Sequence, residues 1–169
     1  IVGSSCYWDS DFWALDPSTE QWTQVASIPV ARAISVAFSL NGYGYVLTGR
    51  DTSGQPFRDC WRYTPGTDTW TPMANFPGEA RYEATAFAIN GKGYMGTGRQ
   101  KDTLGVQKHL RDWWEYDPAS DTWTQKADFP DGPCAFAAGI GVGEKGFLGL
   151  AGPGPEPGHR HDGRADCGR

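Results

Sequence analysis

The sequence predicts an all-β protein made of repeated four-stranded units, and two observations carry that prediction. First, a motif recurs in which an Asp precedes a Trp by two residues and a second Trp follows. The copies lie about 50 residues apart, a period typical of propellers and solenoids. Second, glycine (23 residues) and proline (12 residues) interrupt every window long enough for a helix. The first tryptophans are Trp13, Trp61 and Trp114, and the second are Trp22, Trp70 and Trp123.

Within one repeat, four short segments are predicted to be strands, because they are aromatic or β-branched and bounded by Gly, Pro, Asn or Asp. These segments are residues 34–40, 43–49, 59–64 and 69–72. Asn41-Gly42 joins the first two, since a tight hairpin turn needs positive φ at both central residues. The second tryptophan of each repeat falls on the fourth strand. We therefore expect it to be mostly buried where neighbouring units pack.

Two stretches carry a family resemblance. Residues 112–130 run from Asp-Trp-Trp-Glu-Tyr-Asp-Pro to Trp-Thr and Phe-Pro, and residues 91–98 end in Thr-Gly. They resemble kelch repeats, particularly the bacterial galactose-oxidase-like kind, and the resemblance covers roughly residues 1–150. It implies a β-propeller of four-stranded antiparallel blades. The chain departs from the pattern at Thr48 and Thr97, where kelch repeats usually carry Gly, and at Cys134, which stands where the preceding repeat has Arg81.

The repeats divide the chain into blades and parts of blades. Residues 1–28 are predicted to supply strands two to four of a first blade, 29–76 and 77–129 two complete blades, and 130–152 a partial last blade. Residues 153–169, rich in Gly, Pro and Arg, are predicted to be a tail or a truncated loop. Propellers usually close with about four to eight blades. We therefore expect about three blades that belong to a longer chain or complete a ring as a homo-oligomer.

Composition narrows the class of partner. The formal net charge of −5 argues against nucleic acid, whose phosphates require a concentrated basic surface. The sequence has no apolar run of about 18 residues, the length needed to span a membrane. The cysteines lack metal-ligand spacing and His159 to Asp162 lie in the patternless tail, so neither a metal nor a cofactor is expected. The resemblance implies a secreted or cell-surface bacterial protein.

Four arginines and one histidine are the candidate ligand-binding residues. Arg32 and Arg81 begin first strands, Arg50 and Arg99 end second strands, and His109 lies in the loop before a third strand. In an up-and-down blade these positions gather on one face, where guanidinium groups would favour an acidic ligand or an acidic glycan. The alternative is a structural role, in which the arginines pair with the aspartates that start third strands. Those aspartates are Asp11, Asp59 and Asp112.

The sequence favours a non-enzymatic binding or interaction scaffold for a protein or glycan partner, and no catalytic residue is assigned. One alternative is a carbohydrate-active enzyme, because the resembled proteins include copper-radical galactose oxidases and sialic-acid epimerases. The oxidase centre needs two histidine ligands, and His109 is the only histidine within these repeats. The nearest acid–base set for an epimerase is Arg32, Arg81, Glu79 and Glu83. The other alternative is a structural module that completes a ring with other chains.

Overall fold

The computed structural model describes residues 9–101 and 105–150, together with the backbone of a short strand at Gly152–Pro153. The described residues form sixteen β-strands and no helix, which confirms the predicted all-β class. The strands are β1 (Phe12–Asp16), β2 (Gln21–Val25), β3 (Val36–Leu40), β4 (Tyr43–Leu47), β5 (Cys60–Thr64), β6 (Thr69–Met73), β7 (Thr85–Ile89), β8 (Lys92–Gly96), β9 (Arg99–Lys101), β10 (Gln107–His109), β11 (Trp113–Asp117), β12 (Thr122–Lys126), β13 (Cys134–Ala135), β14 (Ala138–Val142), β15 (Lys145–Gly149) and β16 (Gly152–Pro153).

Two complete antiparallel blades form the middle of the chain. Blade B contains β3, β4, β5 and β6 in that order, and blade C contains β7, β8, β11 and β12. In blade B, β3 starts at Val36 and β4 ends at Leu47, inside the predicted segments. The reason is that Ile34 and Thr48 have left-handed backbone, with φ of 57° and 60°, which does not continue a β-ladder.

Two half blades flank the complete ones. Blade A consists of β1 and β2, which correspond to the third and fourth strands of a blade, and blade D consists of β14 and β15, which correspond to the first and second. The β9–β10 hairpin, inserted between β8 and β11, and the pairing of β13 with β16 were not predicted. The predicted second strand of blade A at residues 1–5 and the predicted tail beyond Pro153 lie outside the described residues.

The predicted hairpin turn has the expected geometry. Asn41 and Gly42 have φ of 52° and 81°, and Asn90 and Gly91 repeat it in blade C with 50° and 72°. Both central residues of each turn therefore lie in the left-handed region that a two-residue hairpin requires. The short turns hold the first two strands of each blade in register on the side opposite the longer loops.

Blades pack by placing an aromatic ring against a glycine. Phe38 stacks on Tyr45 within blade B at a centroid distance of 5.1 Å, and a methyl group added to Gly93 of blade C would overlap the Phe38 ring. Phe87 of blade C meets Gly146 of blade D in the same way. A glycine on the second strand thus lets the ring of the preceding blade approach closely, because any side chain there would collide with it.

The second tryptophan of each complete blade lies at the joint with the preceding blade. Trp70 donates its indole N–H to the carbonyl oxygen of Ala26 at 2.8 Å, and Trp123 donates to that of Ala74 at 3.0 Å. Trp22 is 62% exposed, which makes its expected burial wrong. Its indole belongs to the outer side of blade A, where the described part of the chain has no preceding blade to cover it.

Candidate functional site

The longer loops converge on one face of the structure. The loop after β4 bridges to both neighbouring connections, through Ala33 to Arg50 and through Phe57 to Arg81. The backbone N–H of Gly49 donates to the carbonyl oxygen of Arg81 at 2.9 Å. Blade C repeats this arrangement. In both blades, the loop that follows the second strand therefore lies beside the segments that lead into first strands. This placement brings the candidate arginines to the same face, which we call the loop face.

Arg32 and Arg81 are buried in ion pairs. The two terminal nitrogens of Arg81 donate to the two carboxylate oxygens of Asp112 at 2.7 Å each, and one of them also reaches the carbonyl oxygen of Thr97 at 3.0 Å. Arg32 holds Asp59 in the same bidentate way at 2.7 and 2.6 Å. Arg81 is fully buried and Arg32 is 8% exposed. Both arginines therefore form the ion pairs that the structural alternative describes, with buried side chains.

The aspartates of these pairs are held in the charged form. Burial by itself would raise the pKa of Asp112, but the hydrogen bonds and charge of Arg81, with a further hydrogen bond from Trp114, keep that pKa below its usual value. The pKa of Asp59 is likewise lowered, because Arg32 and Trp61 outweigh the effect of burial. A bidentate guanidinium with matched charge is the arrangement that makes a partly buried carboxylate tolerable.

Arg99 belongs to a second cluster of charged and aromatic side chains. It pairs with the buried carboxylate of Glu83 and donates to the side-chain oxygen of Gln107 at 2.6 Å. The guanidinium groups of Arg50 and Arg99 both lie over the ring of Tyr82, at 4.8 and 5.3 Å from its centroid. Tyr82 is fully buried. We call Arg50, Tyr82, Glu83 and Arg99 the Arg99 cluster.

His109 lies beside this cluster on strand β10, directly opposite Arg99 on β9. Burial lowers the pKa of His109, the nearby charge of Arg99 lowers it further, and Glu83 partly opposes both effects. Because its pKa is lowered, the imidazole of His109 stays neutral to a lower pH than an ordinary histidine does. A neutral imidazole can donate or accept a hydrogen bond, which suits a polar contact better than a charge contact.

A cleft of about 410 Å³ opens on the loop face next to His109. Lys108 and Glu79 pair across it at 3.3 Å, and Arg111 pairs with Asp128 at 3.0 Å on its rim. The side chains of Lys108 and Arg111 are 61% and 59% exposed. We call this space the loop cleft. Its charged and titratable lining residues are Glu79, Arg81, Lys108, His109, Arg111, Asp112 and Asp128.

The loop cleft includes two residues that were not selected from the sequence, Lys108 and Arg111. A usable signal was present, because the segment 99–111 carries four Lys or Arg residues and a single Asp in a chain whose net charge is −5. Position in the repeat singles out Arg32, Arg50, Arg81 and Arg99, but it carries no information on cations in the inserted hairpin. Local charge excess in an insertion would have been the better criterion.

The four residues of the possible epimerase set are committed to different partners. Arg32 and Arg81 hold Asp59 and Asp112, Glu83 holds Arg99, and Glu79 faces Lys108. Within the described residues, no three His, Cys, Asp or Glu side chains lie close enough together to hold a metal ion. The same part of the chain has no helix long and apolar enough to cross a membrane.

Comparison with known protein families finds a match to blade B. Residues 36–77, which include every strand of blade B, match the Kelch motif. The chain folds as part of a kelch-type β-propeller. A solved structure, titled "Structure of YjhT", superposes with a TM-score of 0.71 at 22% sequence identity, over 82% of this chain and 51% of that one. The chain thus spans about half the length of that protein. No curated protein matches the chain.

Proposed function

We propose that the chain is a non-enzymatic binding module that recognises an acidic group on a protein or glycan partner at the loop cleft. One observation carries the proposal: Lys108 and Arg111 present exposed cationic side chains at the rim of a cleft, although the chain as a whole is acidic. The wider assignment to a secreted or cell-surface bacterial protein remains part of this proposal.

The rim cations are held weakly enough to accept a competing anion. Exposed ion pairs contribute only about 0–1 kcal/mol, so Glu79 and Asp128 can be displaced from Lys108 and Arg111 at little cost. An arriving carboxylate or sulfate can then use the forked donors of Arg111 and the ammonium of Lys108. His109, with its lowered pKa, can contribute a neutral hydrogen bond beside them. The buried Arg81 and the partly buried Asp112, joined by their ion pair, line the same cleft.

An array of acidic and neutral glycans, followed by titration calorimetry, tests the proposal. We expect carboxylated or sulfated glycans to bind and neutral ones not to, with affinity that decreases as salt screens the charges. Replacing Lys108 and Arg111 together by Gln should weaken binding about tenfold or more, since a hydrogen bond to a charged group contributes about 1.5–3 kcal/mol. An acidic peptide library, tested in parallel, covers the protein class of partner.

The matched control is the double variant Lys92→Gln with Lys126→Gln. It removes the same amount of charge, and Lys92 pairs with Asp117 and Lys126 with Glu115. Neither lysine is among the residues that line the loop cleft. Equal weakening in both double variants would show that only net charge matters and would contradict a site at the cleft. Binding of neutral glycans that the cleft variant does not affect would contradict it as well.

A further inference from the structure

The lining of the loop cleft carries both signs of charge in equal number. Three lining residues are cationic and three are anionic. The cations are Arg81, Lys108 and Arg111, and the anions are Glu79, Asp112 and Asp128. His109 adds no charge at neutral pH, because burial and the nearby Arg99 lower its pKa. A ligand that carries negative charge alone therefore meets as many carboxylates as cations in this cleft.

One of the three ion pairs is internal to the fold, and the other two are accessible. Arg81 and Asp112 satisfy each other through two hydrogen bonds of 2.7 Å, and the Arg81 side chain is fully buried. The remaining two pairs lie at the rim, and their four side chains are between 40% and 61% exposed. The four residues are Glu79, Lys108, Arg111 and Asp128. The rim thus offers a ligand two cations and two carboxylates.

The pair of Arg111 with Asp128 can receive both signs of charge at once. Its 3.0 Å contact joins Nε of Arg111 to Oδ2 of Asp128. Among the described residues, no hydrogen bond reaches the two terminal nitrogens of Arg111 or Oδ1 of Asp128. A forked pair of donors therefore lies beside an acceptor oxygen. A carboxylate fits the fork in bidentate fashion, and an ammonium or guanidinium group fits the acceptor.

The pair of Lys108 with Glu79 is loose. Nζ of Lys108 lies 3.3 and 3.5 Å from the two carboxylate oxygens of Glu79, whereas charge-assisted hydrogen bonds are typically about 2.7–2.9 Å long. Such an exposed pair can exchange partners with little loss of stability. When the acidic group of a ligand takes Lys108, however, the carboxylate of Glu79 stays in the cleft and needs another cation.

We propose that the ligand of the loop cleft is a peptide segment with an acidic and a basic side chain close together. This occupant presupposes the proposed function, because the loop cleft is its binding site. The acidic side chain binds the fork of Arg111 or the ammonium of Lys108, and the basic side chain binds Asp128 or Glu79. Each charge of the rim then keeps a partner of opposite sign.

Electrostatic complementarity favours this ligand over a purely acidic one. Like charges brought together at an interface weaken binding, and opposite charges select the partner. With a purely acidic ligand, Glu79 and Asp128 would lie beside its carboxylates after losing their own cations. A mixed ligand replaces the two rim pairs by pairs of the same kind, so that no charge is left without a partner.

A peptide is the class of ligand that best supplies both groups. Carboxylate and ammonium or guanidinium side chains occur at neighbouring positions of ordinary peptides, whereas the amino groups of sugars are mostly acylated and uncharged. The cleft volume of about 410 Å³ lies in the range of ligand pockets. Its accessible charges are at the exposed rim, where side chains of an approaching segment reach them without entering the fold.

Titration calorimetry of the full chain with three capped peptides of equal length is the test. The mixed peptide contains glutamate and lysine, the acidic peptide has glutamate in place of each lysine, and the neutral peptide has glutamine at every charged position. Acetyl and amide caps remove the terminal charges. We expect the mixed peptide to bind about tenfold more tightly than the acidic one, because a hydrogen bond to a charged group adds about that much affinity. The neutral peptide should not bind.

The double variant Glu79→Gln with Asp128→Asn removes both acceptors of the basic side chain. It should weaken the mixed peptide about tenfold and bring its affinity close to that of the acidic peptide. The matched control is Glu115→Gln with Asp117→Asn, because these carboxylates also pair with lysines but do not line the loop cleft. Circular dichroism checks that each variant is folded.

The outcomes separate this ligand class from the proposed function. An acidic peptide that binds as tightly as the mixed one would overturn the ligand class and leave the proposed function standing. Equal weakening by the cleft and control variants would overturn the role of Glu79 and Asp128. Heparin with free amino groups is the amino-glycan probe, and its binding without that of the mixed peptide would overturn a peptide as the occupant. If neither charged peptide bound, nor any acidic glycan of the array, the proposed function would fail as well.

Discussion

Equivalent positions of the repeat behave differently at the joint between blades B and C and at the open sides of blades A and D. Trp123 bonds to Ala74 and is half-buried, but Trp22 is mostly exposed. Gly93 lies under the ring of Phe38, but among the described residues no ring from another blade lies over Gly44. The motif therefore places the same residue type at the same position of each blade. Whether that residue is buried, and so how much it stabilises the fold, depends on the neighbouring blade.

The same distinction separates the cations of the loop face. Arg81 and Arg111 both line the loop cleft, yet Arg81 is fully buried in a bidentate pair and Arg111 is 59% exposed. One guanidinium joins the start of a first strand to the start of a third, and the other remains accessible to solvent. Predictions of stability should therefore follow burial and not residue type.

The largest effect is expected from Arg81→Ala. Removing the guanidinium leaves Asp112 charged, partly buried and without its partner, which costs about 3–5 kcal/mol for a buried pair. Urea unfolding monitored by tryptophan fluorescence measures the change in the free energy of unfolding. Exchange of Asp112→Asn in the Arg81→Ala background should recover part of the loss, because it removes the unpaired charge. Full stability of the single variant would show that the pair contributes nothing.

Trp70→Ala should cost about 3 kcal/mol or more, because it empties the site against Phe12 and removes the bond to Ala26. Trp22→Ala, the same change at the equivalent open position, should change the stability of the dilute chain by less than about 0.5 kcal/mol. Thermal unfolding at low protein concentration measures both. Similar losses in the two variants would mean that blade A is already covered in the isolated chain.

Gly93→Ala should destabilise the chain by about 1–3 kcal/mol, because the added methyl group overlaps the ring of Phe38 in the joint between blades. Gly44→Ala is the matched control, since among the described residues its methyl group would contact the Cβ of Tyr63 alone, at 3.7 Å. Gly44→Ala should stabilise the chain slightly, by about 0.5 kcal/mol, because alanine loses less backbone entropy than glycine when a strand forms. Denaturation midpoints that decrease equally for both variants would contradict ring-on-glycine packing as the cause.

Much of the fold could be predicted from the sequence because its signals are local and repeated. Asn41-Gly42 requires a specific turn, and the recurring tryptophans fix the period and the strand order. The candidate site was harder to predict because pairing depends on three-dimensional placement. Arg32 and Arg81 lie on the expected face, but whether Asp59 and Asp112 reach them is decided by geometry. The hairpin β9–β10 had no counterpart in the other repeats, so its Lys108 received no weight.

The smallest effect on stability is expected at the rim of the loop cleft. Arg111→Ala breaks the pair with Asp128, but both side chains are exposed, at 59% and 40%, and the net value of such a pair is about 0–1 kcal/mol. We therefore expect the substitution to lower the free energy of unfolding by no more than about 1 kcal/mol. The difference from wild type should be smaller still at high salt, where exposed charges are screened. Urea unfolding at low and high salt measures it, with Arg81→Ala analysed alongside. A loss at Arg111 as large as that at Arg81 would mean that the rim is part of the structural framework, and Arg111 would then be unsuited to exchanging Asp128 for the acidic group of a ligand.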